Sequence, residues 1–135
     1  MPTVNTIYLG NLRTEACHVA SKTTITTDAP LDNHGLGATF SPTDLTTASL
    51  LSCIMTIMGI TANQLNKPIK GMNGSATKIM TSHPRRIAKI LIELNIENLS
   101  DYTPEELQQI KHDGLNCPVA LSLHPDLKQE IHLNF

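Results

Sequence analysis

Aromatic residues are almost absent: the 135-residue chain has no Trp and only two Tyr and two Phe. Platforms that stack bases or sugars need such rings, so they are not expected. Charge is also scarce at 16%, with 10 Lys and Arg against 12 Asp and Glu. That balance excludes a binder driven by phosphate neutralisation, and no nucleic-acid partner is expected. Cysteine is limited to three, an odd number that argues against a disulfide-stapled secreted scaffold. The Met1–Gly10 start lacks a basic stretch leading into an apolar run, so no secretory signal is expected. Reduced thiols in the cytoplasm are the corresponding expectation. A core must come from Ile, Leu, Val, Met and Ala, and residues 1–135 suffice to form it in one domain.

Several motifs are missing too. There is no G-x-S-x-G elbow, no Walker sequence and no G-x-G-x-x-G, since Gly35-Leu36-Gly37 lacks the third glycine. Leu45–Asn66 carries no charge and is long enough to span a bilayer. Its Thr, Ser, Asn and Gln content instead reads as a buried core helix, with no membrane association.

What is present alternates between strand and helix patterns. Thr3–Leu9, Leu12–Ala20 and Lys22–Asp28 read as strands, with Gly10-Asn11 as a hairpin signal. Asp28–Thr39 is a loop by its Pro, Asp, Asn and Gly content. Ser41-Pro42-Thr43-Asp44 combines an N-cap, an N1 proline and a capping box, opening a helix to about Leu65. Gly59 inside that helix suggests close packing against another backbone. Gly71–Ser82 and Arg85–Glu97 read as strands, the second with Ile90, Ile92, Leu94 and Ile96 in period-2 alternation. Thr103-Pro104-Glu105-Glu106 starts a second helix, with Gly114 as its C′ residue. A short helix from Cys117-Pro118 and a strand over Lys128–Phe135 complete the chain. The order βββ-α-ββ-α-α-β implies an α+β fold with helices against antiparallel sheet.

Cysteine is the informative residue type. Cys117 occupies a helix N-cap, where free N–H groups and the helix dipole should depress its pKa. Cys53 lies about three turns inside the long helix, beside Ser49, Ser52 and Thr56, where an apolar core role is the simpler reading. Cys17 reads as an ordinary strand residue. His112, Cys117 and His124 are close in sequence but lack the paired spacing of a metal site. The methionines at 55, 58, 72 and 80 read as core filler or an adaptable apolar pocket.

Phe40-Ser41-Pro42-Thr43-Asp44-Leu45 leading to Leu50-Leu51-Ser52-Cys53, followed by Leu115-Asn116-Cys117-Pro118-Val119, resembles the OsmC/Ohr family. The resemblance implies an intertwined α+β homodimer with active sites at the subunit interface. It also implies a thiol-dependent peroxidase that acts on organic hydroperoxides without metal, haem or flavin. On this resemblance Cys53 is the peroxidatic residue and Cys117 the resolving one, with a dithiol or lipoyl-type reductant. Family members usually carry a glutamate ten positions before the helix cysteine; here that place is Thr43, and Asp44 is the nearest carboxylate. Asp44 points about 100° round the helix from Thr43 and is also wanted by the capping box. The family arginine comes from the N-terminal strands or the loop after them. Arg13, the only arginine before Arg85, is its candidate unless it is a surface charge, and His34 is a second cationic candidate. Two other readings stand beside the enzyme: an apolar-ligand-binding module on the same fold, and a cysteine redox sensor.

Overall fold

The computed structural model describes all 135 residues. Its strands and helices follow the expected order: β1 (Val4–Gly10), β2 (Arg13–His18), β3 (Thr24–Asp28), α1 (Pro42–Gln64), β4 (Met72–Thr81), β5 (Arg86–Ile96), α2 (Pro104–Leu115), α3 (Pro118–Ser122) and β6 (Lys128–Leu133). The chain divides into two compact units, Met1–Thr46 and Thr47–Phe135.

The first unit is an antiparallel sheet in the order β1-β2-β3, followed by a loop and the first turn of α1. The β1–β2 turn lies one residue later than Gly10-Asn11 suggests. Gly10 already pairs with Arg13, and Asn11-Leu12 form the two-residue loop. Both have positive φ (54° and 63°), the conformation of a primed hairpin turn. Gly10, at φ 86°, follows the register shift beyond Tyr8, where only glycine is unstrained. The unit buries Thr27, Asp28 and Ser41, all polar, while Val4, Ile7, Leu9, Leu12 and Ile25 are exposed.

The second unit holds the aliphatic core. Leu50, Ile54, Met58 and Ala62 of α1 pack with Ile87, Ile90, Ile92, Leu94 and Ile96 of β5, and with Ile110, Cys117 and Ala120. The period-2 pattern of β5 is therefore realised, because β5 is the central strand and turns one face to the helices. By length and composition α1 could cross a membrane; in this fold its Leu50, Ile54 and Met58 are fully buried in the core.

The sheet of the second unit departs from a purely antiparallel arrangement. β4 and β5 are antiparallel, but β6 runs parallel to β5, pairing Ile92 with Ile131. A parallel neighbour needs a long crossover, and the segment containing α2 and α3 supplies it. Two glycine expectations also change. A Cβ on Gly59 would meet nothing within 4 Å; the residue lies on the same side of α1 as the exposed Ser52, Thr56 and Asn63. Gly114 does not end α2, which continues to Leu115 with Asn116 as C-cap. Gly114 is the close-packed glycine instead: a Cβ there would sit 2.7 Å from Met58 Cγ.

Candidate active site

Cys53 and Cys117, sixty-four positions apart in sequence, are brought together within the second unit. α1 carries Cys53 with Leu50 and Ile54 facing the core. Met55 and Leu51, on either side of it in sequence, reach β4, lying 3.2 and 3.3 Å from a Cβ built on Gly74. Cys117 is placed by the junction of two helices. Asn116 Nδ2 donates to the His112 carbonyl (2.8 Å), and the Cys117 amide donates to the Gly114 carbonyl (3.2 Å). Pro118 then opens α3 at N1, its fixed φ suiting that position. Gln129 Nε2 donates to the Ala120 carbonyl at 2.9 Å and ties α3 to β6.

Both thiols belong to the core cluster around α1 and lie close enough to influence each other's ionisation. Both are free, and Cys117 is fully buried whereas Cys53 is half-buried. The expected depression of the Cys117 pKa is not found. The Ala120 and Val119 N–H groups at the start of α3 do pull it down, but burial outweighs them and pushes the thiol up. The neighbouring Cys53 acts in the same upward direction. Cys117 is thus favoured in its protonated form. An N-cap position favours a thiolate only where water or a cation shares the work; a five-residue helix over a dry sulfur does not suffice.

The first unit holds the remaining expected residues. Arg13 Nε and Nη2 donate to Asp28 Oδ1 and Oδ2 at 2.7 and 3.0 Å. Asp44 closes the capping box: its Oδ2 accepts from the Ser41 amide (2.9 Å), and its own amide donates to Ser41 Oγ (3.1 Å). The Thr43 and Ser41 hydroxyls are 3.2 Å apart. The carboxylate that bonds Arg13 is therefore Asp28, which reading the sequence passed over. Asp28 sits at a strand-to-loop junction that reads as turn chemistry. Its position opposite Arg13 in the β2–β3 ladder could be found only by fixing that register.

His34 caps a short helical turn at φ 67° and is exposed. Cys17 is a β2 residue whose Sγ is 3.8 Å from the His18 carbonyl. His124 Nδ1 accepts from the Asp126 amide at 3.0 Å, a local turn contact. No three His, Cys, Asp or Glu side chains are grouped so as to hold a metal.

Comparison with solved structures settles the ancestry. A Psychrobacter arcticus 273-4 protein, provisionally described as an osmotic stress induced and detoxification response protein, shares 40% identity with the chain. The match covers 99% of this chain and 96% of that one, at TM-score 0.93. The chain belongs to the OsmC/Ohr family. The OsmC organic hydroperoxide resistance protein of Legionella pneumophila matches over 100% of this chain and 98% of its own, with TM-score 0.77 and 12% identity. OhrB of Bacillus subtilis, an organic hydroperoxide resistance protein, matches over 98% of each chain at TM-score 0.69 and 15% identity. At such identities these two share the OsmC fold and carry no residue-level argument. No protein-family model and no curated protein sequence matches the chain.

Proposed function

We propose that this OsmC/Ohr protein is a thiol-dependent peroxidase that reduces organic hydroperoxides, with Cys53 peroxidatic and Cys117 resolving. The observation that carries the proposal is the closeness of the two sulfurs in the core of the second unit, with Cys117 favoured in its protonated form. The Cys53 thiolate attacks the distal oxygen of R–O–O–H. The O–O bond breaks, an S–O bond forms, and the alkoxide leaves to be protonated as the alcohol. Cys53 becomes a sulfenic acid. The nearby Cys117 sulfur attacks Cys53 as its proton is lost, and hydroxide departs as water with formation of the Cys53–Cys117 disulfide. A dithiol, small or lipoyl-type, then reduces the disulfide by exchange through a mixed disulfide. Holding Cys117 protonated suits this order, since a neutral resolving thiol leaves the first attack to Cys53.

Arg13 is the proposed cation favouring the Cys53 thiolate, and no metal or prosthetic group enters the scheme. The 135 residues act as a single OsmC-like domain, in the cytoplasm, within an intertwined homodimer whose active sites lie at the subunit interface. The exposed Val4, Ile7, Leu9 and Ile25 of the first unit support an assembly larger than one chain.

A dithiol-coupled assay with cumene hydroperoxide tests the scheme. Cys53→Ser is expected to abolish peroxide consumption. Cys117→Ser is expected to retain one rapid turnover and then accumulate sulfinic acid on Cys53, read by mass spectrometry. Unchanged turnover in Cys53→Ser removes the assignment.

A further inference from the structure

The inward side of β6 carries one polar residue. Alternation along the strand sets Gln129 with Ile131 and Leu133, which pack against the core, while Lys128 and His132 are exposed on the other side. In the parallel ladder Gln129 pairs with Ile90, a fully buried residue of β5. Burial alone would favour an aliphatic side chain here, because a buried amide is costly unless it is hydrogen-bonded. The Gln129 amide has such a bond: its Nε2 donates to the Ala120 carbonyl at 2.9 Å. Ala120 is itself buried and lies in α3, three residues beyond Cys117.

α3 depends on tethers of this kind. At five residues it is too short to be stable as an isolated helix. Ahead of it, Asn116 Nδ2 and the Cys117 amide bond back to carbonyls of α2. Within it, Ser122 Oγ donates to the Pro118 carbonyl at 2.7 Å, a bond that fixes nothing outside the turn. Gln129 supplies a bond from the sheet, from the strand that lies next to β5. The turn carrying Cys117 is thereby held from two elements rather than from α2 alone. One chemical step is sensitive to this. Attack on peroxide is made by Cys53 from α1, whereas disulfide closure needs the two cysteine Cα atoms about 4.4–6.8 Å apart.

We infer that Gln129 is a positioning residue for the resolving step: its amide seats the turn that carries Cys117, so that this sulfur closes on the Cys53 sulfenic acid before a second peroxide reaches it. The inference rests on the peroxidase reading proposed above. In closure the S–S bond forms as the S–O bond breaks, and the Cys117 proton leaves with hydroxide as water. A sulfenic acid left waiting takes an oxygen from a further hydroperoxide, giving sulfinic acid and an alcohol. The tether therefore sets the division between a disulfide that dithiol can reduce and an enzyme that is lost.

The test uses Gln129→Met, which keeps the length of the side chain and removes its donor, beside wild type and Cys53→Ser. In a ping-pong scheme kcat/KM for cumene hydroperoxide reports O–O cleavage and not closure. Closure is read separately, by trapping thiols at intervals after one equivalent of peroxide, and sulfinic acid by mass spectrometry. Gln129→Met should keep kcat/KM within about twofold of wild type yet close the disulfide about tenfold more slowly, with more sulfinic acid formed per turnover. Closure at the wild-type rate overturns the inference. So does a parallel fall in kcat/KM and closure, which a general loosening of the fold would give. Should Gln129→Met fail to fold, Gln129→Asn, whose amide is one methylene short, decides by the same two readings. An inactive Cys53→Ser beside an active wild type leaves the peroxidase reading standing whichever way Gln129 falls. A wild type no more active than Cys53→Ser removes that reading and this inference together.

Discussion

The two units of the chain are built on opposite terms. Thr47–Phe135 buries a continuous set of Leu, Ile and Met side chains, with five residues of β5 alone in the core. Met1–Thr46 buries Thr27, Asp28 and Ser41 and leaves its aliphatic residues in the open. One unit is specified by packing, which is non-directional and roughly proportional to the apolar area buried. The other is specified by directional bonds: the Arg13–Asp28 fork, the Ser41–Asp44 box and the ladder itself. The candidate chemistry divides in the same way. Packing delivers the two sulfurs, and hydrogen bonding holds the arginine.

If this contrast is right, removing aliphatic volume should hurt most in the second unit. Ile92 is fully buried in the central strand, so Ile92→Ala should cost about 2–5 kcal/mol in denaturant unfolding. A cost near zero would mean that β5 is not the core strand described here. Adding volume at the one tight helix contact should come next. Gly114→Ala places a methyl 2.7 Å from Met58 Cγ and 3.4 Å from Ile54 Cγ2, an overpacking cost of about 1–3 kcal/mol. Met58→Ala in the same background should recover part of the loss, since the two side chains compete for one space. Strict additivity of the two would break the packing account.

The same contrast explains what could be read in advance. Packing leaves a periodic trace, so Ile90, Ile92, Leu94 and Ile96 declared β5 and its buried face directly. Helix starts were equally plain, because Thr103 and Glu106 form the reciprocal capping box that their spacing implies. Pairings between distant segments leave no such trace. The parallel direction of β6, the approach of Gly114 to Met58, and the opposition of Arg13 to Asp28 all depend on which strand or helix becomes a neighbour. The cysteine site shows both sides. Motif resemblance named Cys53 and Cys117, but the ionisation of Cys117 ran against its local position. Burial is a property of the whole unit, whereas an N-cap is visible in a few residues.

The polar unit should respond to acid through its one buried carboxylate, Asp28. The Arg13 hydrogen bonds hold the Asp28 carboxyl below its ordinary range, despite burial acting the other way. A carboxylate with a lowered folded-state pKa stabilises the fold at pH above its unfolded value, about 3.9. That contribution is lost as pH falls through the folded-state value. Wild type should therefore exceed Asp28→Asn in stability at neutral pH, with the gap closing below about pH 4. Thermal melts of both proteins from pH 7 to 3 measure it. A gap independent of pH over that range would show that Asp28 acts through shape rather than charge.

The smallest effect expected lies on the helix that both units share. Gly59 is an interior α1 residue, and a Cβ there meets nothing within 4 Å. Replacing glycine by alanine in a helix interior restores about 0.5–1 kcal/mol, through reduced unfolded-state entropy and better propensity. Gly59→Ala should therefore raise the melting temperature, opposite in sign to Gly114→Ala, although both add one methyl to a helix. The pair isolates packing from propensity, because the chemistry of the substitution is the same. A loss of stability in Gly59→Ala would mean that another backbone closes on this side of α1 in the assembled protein. Such a loss should then depend on protein concentration, as subunit association requires, whereas the loss in Gly114→Ala arises from a contact inside one chain.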